Sequence, residues 1–353
     1  MELRNIQQAD FKNARVLVRV DFNVELNNVS EVQEHFRLDI VKETINYISA
    51  FPGVKVALLT HFGRPDGKRN EKFSVGQITM AVERALQKPV TFVPDCVGER
   101  VEAALSSLSQ NTLLLLENTR FYDGEEANDP EFARALAKPF SIFVNEAFSV
   151  CHRAHASVIG VPQLLPAYAG FRVLREIEKL DQVRLTPRRP AIAVIGGAKI
   201  ETKLPLIREL EKNYDAVLVG GRVANEMIDE KITCSEKVLV PQDFDSPKRL
   251  DIGPNTIAYY IQIIKTAKTI IWNGPMGKFE EKPYDVGTGA ILQAMLESEA
   301  FVLIGGGESL AVLEKANVMD KIGFVSSGGG AMLEYLSGHK LPGLAALEIG
   351  GVL

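Results

Sequence analysis

Short apolar runs alternate along this chain with stretches in which apolar residues recur every three or four positions. The runs predict strands at Arg15–Val20, Val54–Thr60, Val90–Val93, Thr112–Leu116 and Ser141–Val144. A second set follows at Ala191–Ile195, Ala216–Val219, Thr269–Trp272, Phe301–Ile304 and Gly323–Val325. Most are continuous, rich in β-branched residues and bounded by Gly or Asn, the pattern of strands buried on both faces. The periodic stretches predict helices. Arg37–Ile48 puts Leu38, Val41, Ile45 and Ile48 on one stripe. Ser74 can cap Val75–Leu86, and Asn128 or Asp129 precedes Pro130, a good first helical residue. Leu204, Ile207 and Leu210 repeat the stripe later.

Strand–helix alternation implies parallel sheets covered by helices on both sides. Two such sets predict an α/β fold of two doubly wound parallel-sheet domains facing a central cleft. The chain length of 353 residues suits two domains. The joint is expected in the charged helical stretch Phe171–Leu185, followed by Thr186-Pro187-Arg188-Arg189-Pro190, so the second domain should occupy 176–339.

Composition narrows the class. Hydrophobic residues make up 46% and charged residues 24%, with a net charge of −5, which does not suggest a nucleic-acid binder. Cys96, Cys151 and Cys234 are odd in number and widely spaced, unlike a disulfide framework or zinc site. The first ten residues are polar and no apolar run is long enough to span a bilayer. A reducing, cytoplasmic setting is the expectation.

In open parallel sheets, ligands bind beyond the carboxyl ends of the strands. In the first half those positions carry Asp21 and Asn23, His61 and Arg64, Asn118 and Arg120, Asn145 and then Arg153, with Arg37 opening the first helix. Forked guanidinium donors and imidazoles at one sheet edge suit a small polyanion. In the second half the strand ends are Gly196-Gly197, Gly220-Gly221, Asn273-Gly274-Pro275, Gly305-Gly306-Gly307 and Ser327-Gly328-Gly329-Gly330. Glycine lets backbone N–H groups approach phosphate oxygens, and a helix N-terminus adds its dipole. Lys199 and Lys203, four apart, should point the same way. Singly, a glycine pair is an ordinary turn and a lysine pair an ordinary solvated helix face. Together they read as a nucleotide site, though no Walker loop occurs. One half for a small anion and one for a nucleotide suit phosphoryl transfer.

The ordered motifs Arg19-Val20-Asp21-Phe22-Asn23-Val24, His61-Phe62-Gly63-Arg64-Pro65, Glu117-Asn118-Thr119-Arg120-Phe121, His152-Arg153-Ala154-His155, Gly196-Gly197-Ala198-Lys199, Leu250-Asp251-Ile252-Gly253-Pro254, Trp272-Asn273-Gly274-Pro275 and Leu341-Pro342-Gly343 resemble the phosphoglycerate kinase family. They span nearly the whole chain. The resemblance implies a monomeric enzyme acting on 3-phosphoglycerate and ATP with Mg2+. It implies that Asp21, Phe22, Asn23, Arg37, His61, Arg64, Arg120 and Arg153 hold 3-phosphoglycerate. Arg37, Lys199, Lys203 and Gly329 would serve catalysis. Gly196, Gly220, Leu250, Asn273, Glu280, Gly306, Gly307, Glu308 and Ser309, with the two lysines, would hold the nucleotide, and Glu308 the metal. The tail Lys340–Leu353 would return to the first domain, 1–175.

Four positions depart from the family pattern. Glu308 stands for the usual Asp at the metal, one methylene longer. Arg222 replaces a third glycine beside the expected adenine pocket. The segment between Ala224 and Asp251 is shortened. Glu146 replaces Asp. The first three leave two alternatives open: a protein that binds these ligands without catalysis, and a kinase that uses another nucleotide.

Overall fold

The computed structural model describes residues 2–27, 32 and 35–349, and the chain divides into two compact units. The first holds residues 1–175 and 340–353, the second 176–339. Residues 350–353 of the expected returning tail lie outside the described residues.

The first unit runs β1 (Arg15–Arg19), α1 (Phe36–Asp39), α2 (Lys42–Ser49), β2 (Lys55–Leu59), α3 (Thr79–Leu86), β3 (Val90–Val93), α4 (Glu99–Ser107), β4 (Leu113–Leu116), α5 (Asp123–Glu126), α6 (Pro130–Ala137), β5 (Ile142–Asn145) and β6 (Ala167–Ala169). Its strands form one parallel sheet in the order β3-β4-β2-β1-β5-β6. The helix α7 (Phe171–Leu185) contains the division between units, at Arg175–Glu176.

The second unit continues with β7 (Ala191–Ile195), α8 (Ile200–Asn213), β8 (Ala216–Val219), α9 (Gly221–Asp229), β9 (Val238–Leu239), α10 (Pro254–Ile264), β10 (Thr269–Asn273), α11 (Val286–Leu296), β11 (Phe301–Gly305), α12 (Gly307–Ala316), β12 (Phe324–Ser326) and α13 (Gly330–Leu336). Its parallel sheet has the order β12-β11-β10-β7-β8-β9.

All ten predicted strands are present. The two that the pattern did not announce, β6 and β9, are three and two residues long, too short for any periodicity. The predicted helix Arg37–Ile48 is two helices, α1 and α2, separated by a turn at Ile40–Val41. Ser74 does cap its stretch, accepting from the Gly76 N–H, but Val75–Ile78 is a tighter 3-10 turn before α3 begins. Asp129 caps α6 through the Phe132 N–H at 2.8 Å.

The central strands, such as β4, β7 and β10, are buried on both faces, as their composition requires, while the edge strands β3 and β9 are only partly covered. The core of the first unit packs Val16, Val18, Leu58, Leu115 and Val144 of the sheet against Leu38, Ile45 and Ile48. Residues 341–347 also belong here. Leu341, Leu344 and Leu347 are fully buried, Gly343 N–H donates to Cys151 O at 2.8 Å, and Arg4 N–H donates to Leu347 O at 3.0 Å. Among the described residues no helix is long and apolar enough to cross a membrane.

In each sheet the strand order reverses direction at one point: between β1 and β5 in the first, between β7 and β10 in the second. The loops leaving adjacent strands there diverge to opposite faces and open a crevice.

Candidate functional site

At the crevice of the first unit, Asp21 follows β1. Its carboxylate forms an ion pair with Arg37 of α1 and accepts a hydrogen bond from the Ser149 hydroxyl. Burial alone would raise its pKa. Arg37, with His61, Ser149 and Arg19 adding, holds it well below the ordinary carboxylate range. His61, at the end of β2, lies 3.9 Å from Asp21 through Nδ1. Burial, reinforced by Arg19, Arg120 and Arg153 against the pull of Asp21, keeps its pKa well below the usual histidine value. Arg120 donates to Gly63 O at 2.8 Å and pairs with Glu126 at 2.8 Å. Arg64 and Arg120 share a cavity of about 300 Å³ with Asp66, Asp123 and Glu126. Arg153 is half-buried and donates through Nε to His152 Nε2 at 3.3 Å.

Other strand-end residues serve the scaffold. The Phe22 side chain is in the core, and its backbone is engaged locally, the N–H donating to the Thr60 hydroxyl at 2.9 Å and the carbonyl accepting from the Val24 N–H at 2.9 Å. Asn23 accepts from the Gly63 N–H at 2.7 Å and so ties the β1 and β2 exits together. Asn118 is fully buried and bonds to the backbone of Phe62, Phe73 and Arg120. Asn145 accepts from the Ala147 N–H at 2.9 Å. Sequence reasoning missed Ser149 and the buried group Arg19, Glu125 and Ser157. A charged residue inside the apolar run of β1 was the signal for Arg19. Nothing local marked Ser149.

In the second unit, three glycine turns interlock. Gly197 N–H donates to Pro275 O at 2.9 Å, Gly221 N–H to Met276 O at 2.7 Å and Val223 N–H to Gly197 O at 3.2 Å. Gly197, Gly221 and Gly274 all have positive φ, and a Cβ on Gly274 would stand 2.3 Å from Gly196 O. Backbone packed this closely admits no side chain.

Beside these turns lies a cavity of about 740 Å³. Lys199 and Lys203 line it, as do Asn273, Gly306, Gly307, Glu308, Ser309 and Gly329. Three helices start at it. Lys199 is the N-cap of α8, Gly306 that of α12 and Gly329 that of the shorter α13, so their dipoles present positive ends to an occupant. Lys203 is mostly buried. Burial lowers its pKa to about 8, against the opposing pull of Glu308. The Ser309 hydroxyl accepts from the Gly274 N–H at 2.8 Å, and Asn273 donates to Gly305 O. The side-chain oxygen of Asn273, Oδ1, is buried without a hydrogen-bond partner.

The remaining predicted nucleotide residues do not line this cavity. Gly196 and Gly220 are buried in the turns, Leu250 is half-buried and Glu280 is exposed. Leu250 is fixed by its carbonyl, which accepts from the Lys278 N–H at 2.8 Å. The adjacent Asp251 clasps two loops, accepting from Ile252 and Gly287 N–H groups. Arg222 is 71% exposed and pairs with Glu226 one turn along α9 at 2.6 Å. Among the described residues no three His, Cys, Asp or Glu side chains converge to hold a metal by themselves.

The chain matches the phosphoglycerate kinase family profile over residues 6–243 and 228–339. The two stretches overlap in the segment that carries the two-residue β9. The chain is 39% identical over 387 aligned positions to "Phosphoglycerate kinase" of Moorella thermoacetica, covering 97% of this chain and 98% of that one. It is 39% identical over 396 positions to the enzyme of the same name from Rhodospirillum centenum, covering 98% of this chain and 100% of that one. Both alignments are longer than the 353-residue chain, so the relatives carry residues that it lacks. The structure of phosphoglycerate kinase from Pyrococcus horikoshii superimposes with a TM-score of 0.87 at 28% identity, covering 98% of each chain. That of the Coxiella burnetii enzyme gives 0.81 at 30%, again over 98% of each. With two six-stranded parallel sheets, an arginine-rich edge on one and a glycine-rich edge on the other, the chain belongs to the phosphoglycerate kinase family.

Proposed function

We propose that this chain catalyses reversible phosphoryl transfer between ATP and the carboxylate of 3-phosphoglycerate, giving ADP and 1,3-bisphosphoglycerate. The observation that carries this reading is the pairing of Lys199 and Lys203 with three helix N-termini around one cavity. In this reading residues 1–175 with the tail bind phosphoglycerate and residues 176–339 bind the nucleotide. The enzyme works as a cytoplasmic monomer.

Asp21, Asn23, His61, Arg64, Arg120 and Arg153 orient phosphoglycerate, with Phe22, anchored in the core, setting the placement of Asp21 and Asn23 on either side of it. Arg37 passes from Asp21 to the substrate carboxylate and the group in transfer. A carboxylate oxygen attacks the γ-phosphorus, and the bond from that phosphorus to the oxygen shared with the β-phosphate breaks. The charge spread over the transferring group is what the protein must neutralise. Lys199, Lys203 and the backbone at Gly307 and Gly329 supply that neutralisation. Gly220, Leu250 and Glu280 hold the base and ribose.

The donor set suits magnesium. Glu308 offers one carboxylate at the mouth of α12, with its Oε2 2.7 Å from where a Cβ on Gly197 would stand. Magnesium commonly takes one or two carboxylates and fills its shell with phosphate oxygens and water. Bound there, it would neutralise phosphate charge. Glu308→Asp should therefore remain active with a shifted magnesium requirement. Unchanged magnesium dependence in Glu308→Ala would remove this carboxylate from the metal.

Lys203 gives a pH signature. Its pKa of about 8 is depressed by burial, and a bound polyphosphate stabilises the charged form. Nucleotide binding should take up a proton near pH 8, and affinity should fall by up to about tenfold per pH unit above it. Calorimetry with Mg-ADP across that range should show the fall, and Lys203→Arg should abolish it. A flat wild-type profile would contradict this role.

The deciding experiment is a coupled assay of protein, 3-phosphoglycerate and Mg-ATP with glyceraldehyde-3-phosphate dehydrogenase, following NADH. Loss of NADH that requires all three establishes the kinase. Folded protein that binds ADP but gives no loss with any nucleotide is a binding protein instead.

A further inference from the structure

We propose that Arg19 is a positioning residue for the phosphoglycerate site: it keeps Nδ1 of His61 as an acceptor, so that the ring meets substrate as a neutral Nε2–H donor. The proposal rests on the reading that His61 faces phosphoglycerate.

Arg19 ends β1 and is 1% exposed. Each edge of its guanidinium is committed. Nε donates to the Ser157 hydroxyl at 2.9 Å, Nη1 donates to Val20 O at 2.5 Å, and Nη2 lies 3.2 Å from His61 Nδ1. Ser157 is itself fixed by Glu125, through its hydroxyl at 2.5 Å and its N–H at 2.9 Å. Glu125 and Asp21 are the counter-charges that let a guanidinium persist at full burial.

A guanidinium has donors only. The close partner of Nη2 must therefore accept, which requires a bare lone pair on Nδ1. The ring proton then sits on Nε2, and no hydrogen bond within the described residues engages that nitrogen. Asp21 Oδ1, at 3.9 Å from Nδ1, favours the opposite tautomer but is farther than Arg19 and is already claimed by Arg37 and Ser149 through its other oxygen. The charged groups acting on the ring are Arg19, Asp21, Arg120 and Arg153. Three of the four are cations, so a second proton on the imidazole is opposed from several elements. His61 thus adds a hydrogen-bond donor without adding a titrating charge. It also cannot serve as a proton carrier for the reaction.

The test is a ring-15N spectrum of the full chain labelled at histidine, with His61 assigned by His61→Gln. The expected result is a bare Nδ1 and a protonated Nε2 that hold from about pH 8 to about pH 5. A protonated Nδ1, or titration near the ordinary value of about 6.5, would overturn the proposal. This measurement needs no variant of Arg19 to fold. Adding 3-phosphoglycerate should move the Nε2 resonance. If Nε2 stays still while Nδ1 remains bare, the tautomer assignment holds but the substrate contact fails, and Arg19 loses its role in the site. In Arg19→Gln the carboxamide can accept from Nδ1–H and one cation is gone. KM for 3-phosphoglycerate, relative to wild type, should then fall about tenfold between about pH 8 and pH 5 as a cationic ring is gained, with kcat changing less. A pH-independent KM ratio in folded Arg19→Gln would also overturn the proposal.

Discussion

Arg37→Ala should lower turnover by about 10²–10³-fold, the usual loss when one preorganised electrostatic stabiliser is removed. Arg37 sits in the short helix α1, and its guanidinium pairs with Asp21 at the edge of the first sheet. The proposed reaction places the same guanidinium on the carboxylate under attack, where charge is redistributed. Alanine leaves that charge uncompensated at the transition state. The fold should survive, because Asp21 keeps Ser149 as a donor and Arg19 nearby. The Asp21 pKa should rise without Arg37, since burial then acts with less opposition. Stability that depends on its ionised form is present at neutral pH and lost as pH falls through its folded pKa, so the acid-unfolding midpoint should move to higher pH. The coupled assay and circular dichroism together check both statements. Near-normal turnover would remove Arg37 from the chemistry.

The second large effect concerns stability. Gly274→Ala should destabilise the second unit by about 3 kcal/mol or more, combining an unfavourable positive φ with backbone collision. At φ +89° the added Cβ would meet Gly196 O at 2.3 Å, Gly196 C at 2.5 Å and Gly197 N at 2.9 Å. None of these is the end of a flexible side chain, so the β7 and β10 exits must separate. The buried Trp272 donates to Gly274 O at 2.7 Å and would be strained as well. Urea unfolding should show the loss, and Mg-ADP affinity should drop with it because Gly274 borders the lysine cavity. A wild-type midpoint would show that the turns have more slack than their contacts imply.

What the sequence made legible follows from how local each signal is. Continuous β-branched runs such as Ala191–Ile195 and Thr269–Trp272 announce buried parallel strands because only that environment accepts them. The glycine-rich exits were readable for the same reason: a run of glycines after a strand marks close backbone approach. The roles of individual polar residues were less readable. Asn118 and Arg120 lie two positions apart after β4, yet Asn118 is spent on three backbone segments while Arg120 reaches a cavity. That division is set by backbone groups of Phe62, Gly63 and Phe73 in the stretch after β2, far away in sequence. Arg222 looked intrusive beside the expected base, but an acid four residues later on α9 holds it. The Arg19–Ser157–Glu125 network joins positions up to 138 residues apart, which no local pattern can show.

The leucines at 341, 344 and 347 belong to the first unit, although 164 residues of the second intervene after Arg175. In a chain made from its N-terminus, every residue of 176–339 is joined before 340–349 exist. The second unit therefore has all its residues before the first does, and the first waits for its last segment with an open seam near Cys151 and Arg4. Premature termination near residue 339 would spare the glycine cradle and cripple the arginine edge. Such a product would retain the lysine cavity without the proposed phosphoglycerate site, and the exposed seam would mark it for chaperone capture or proteolysis.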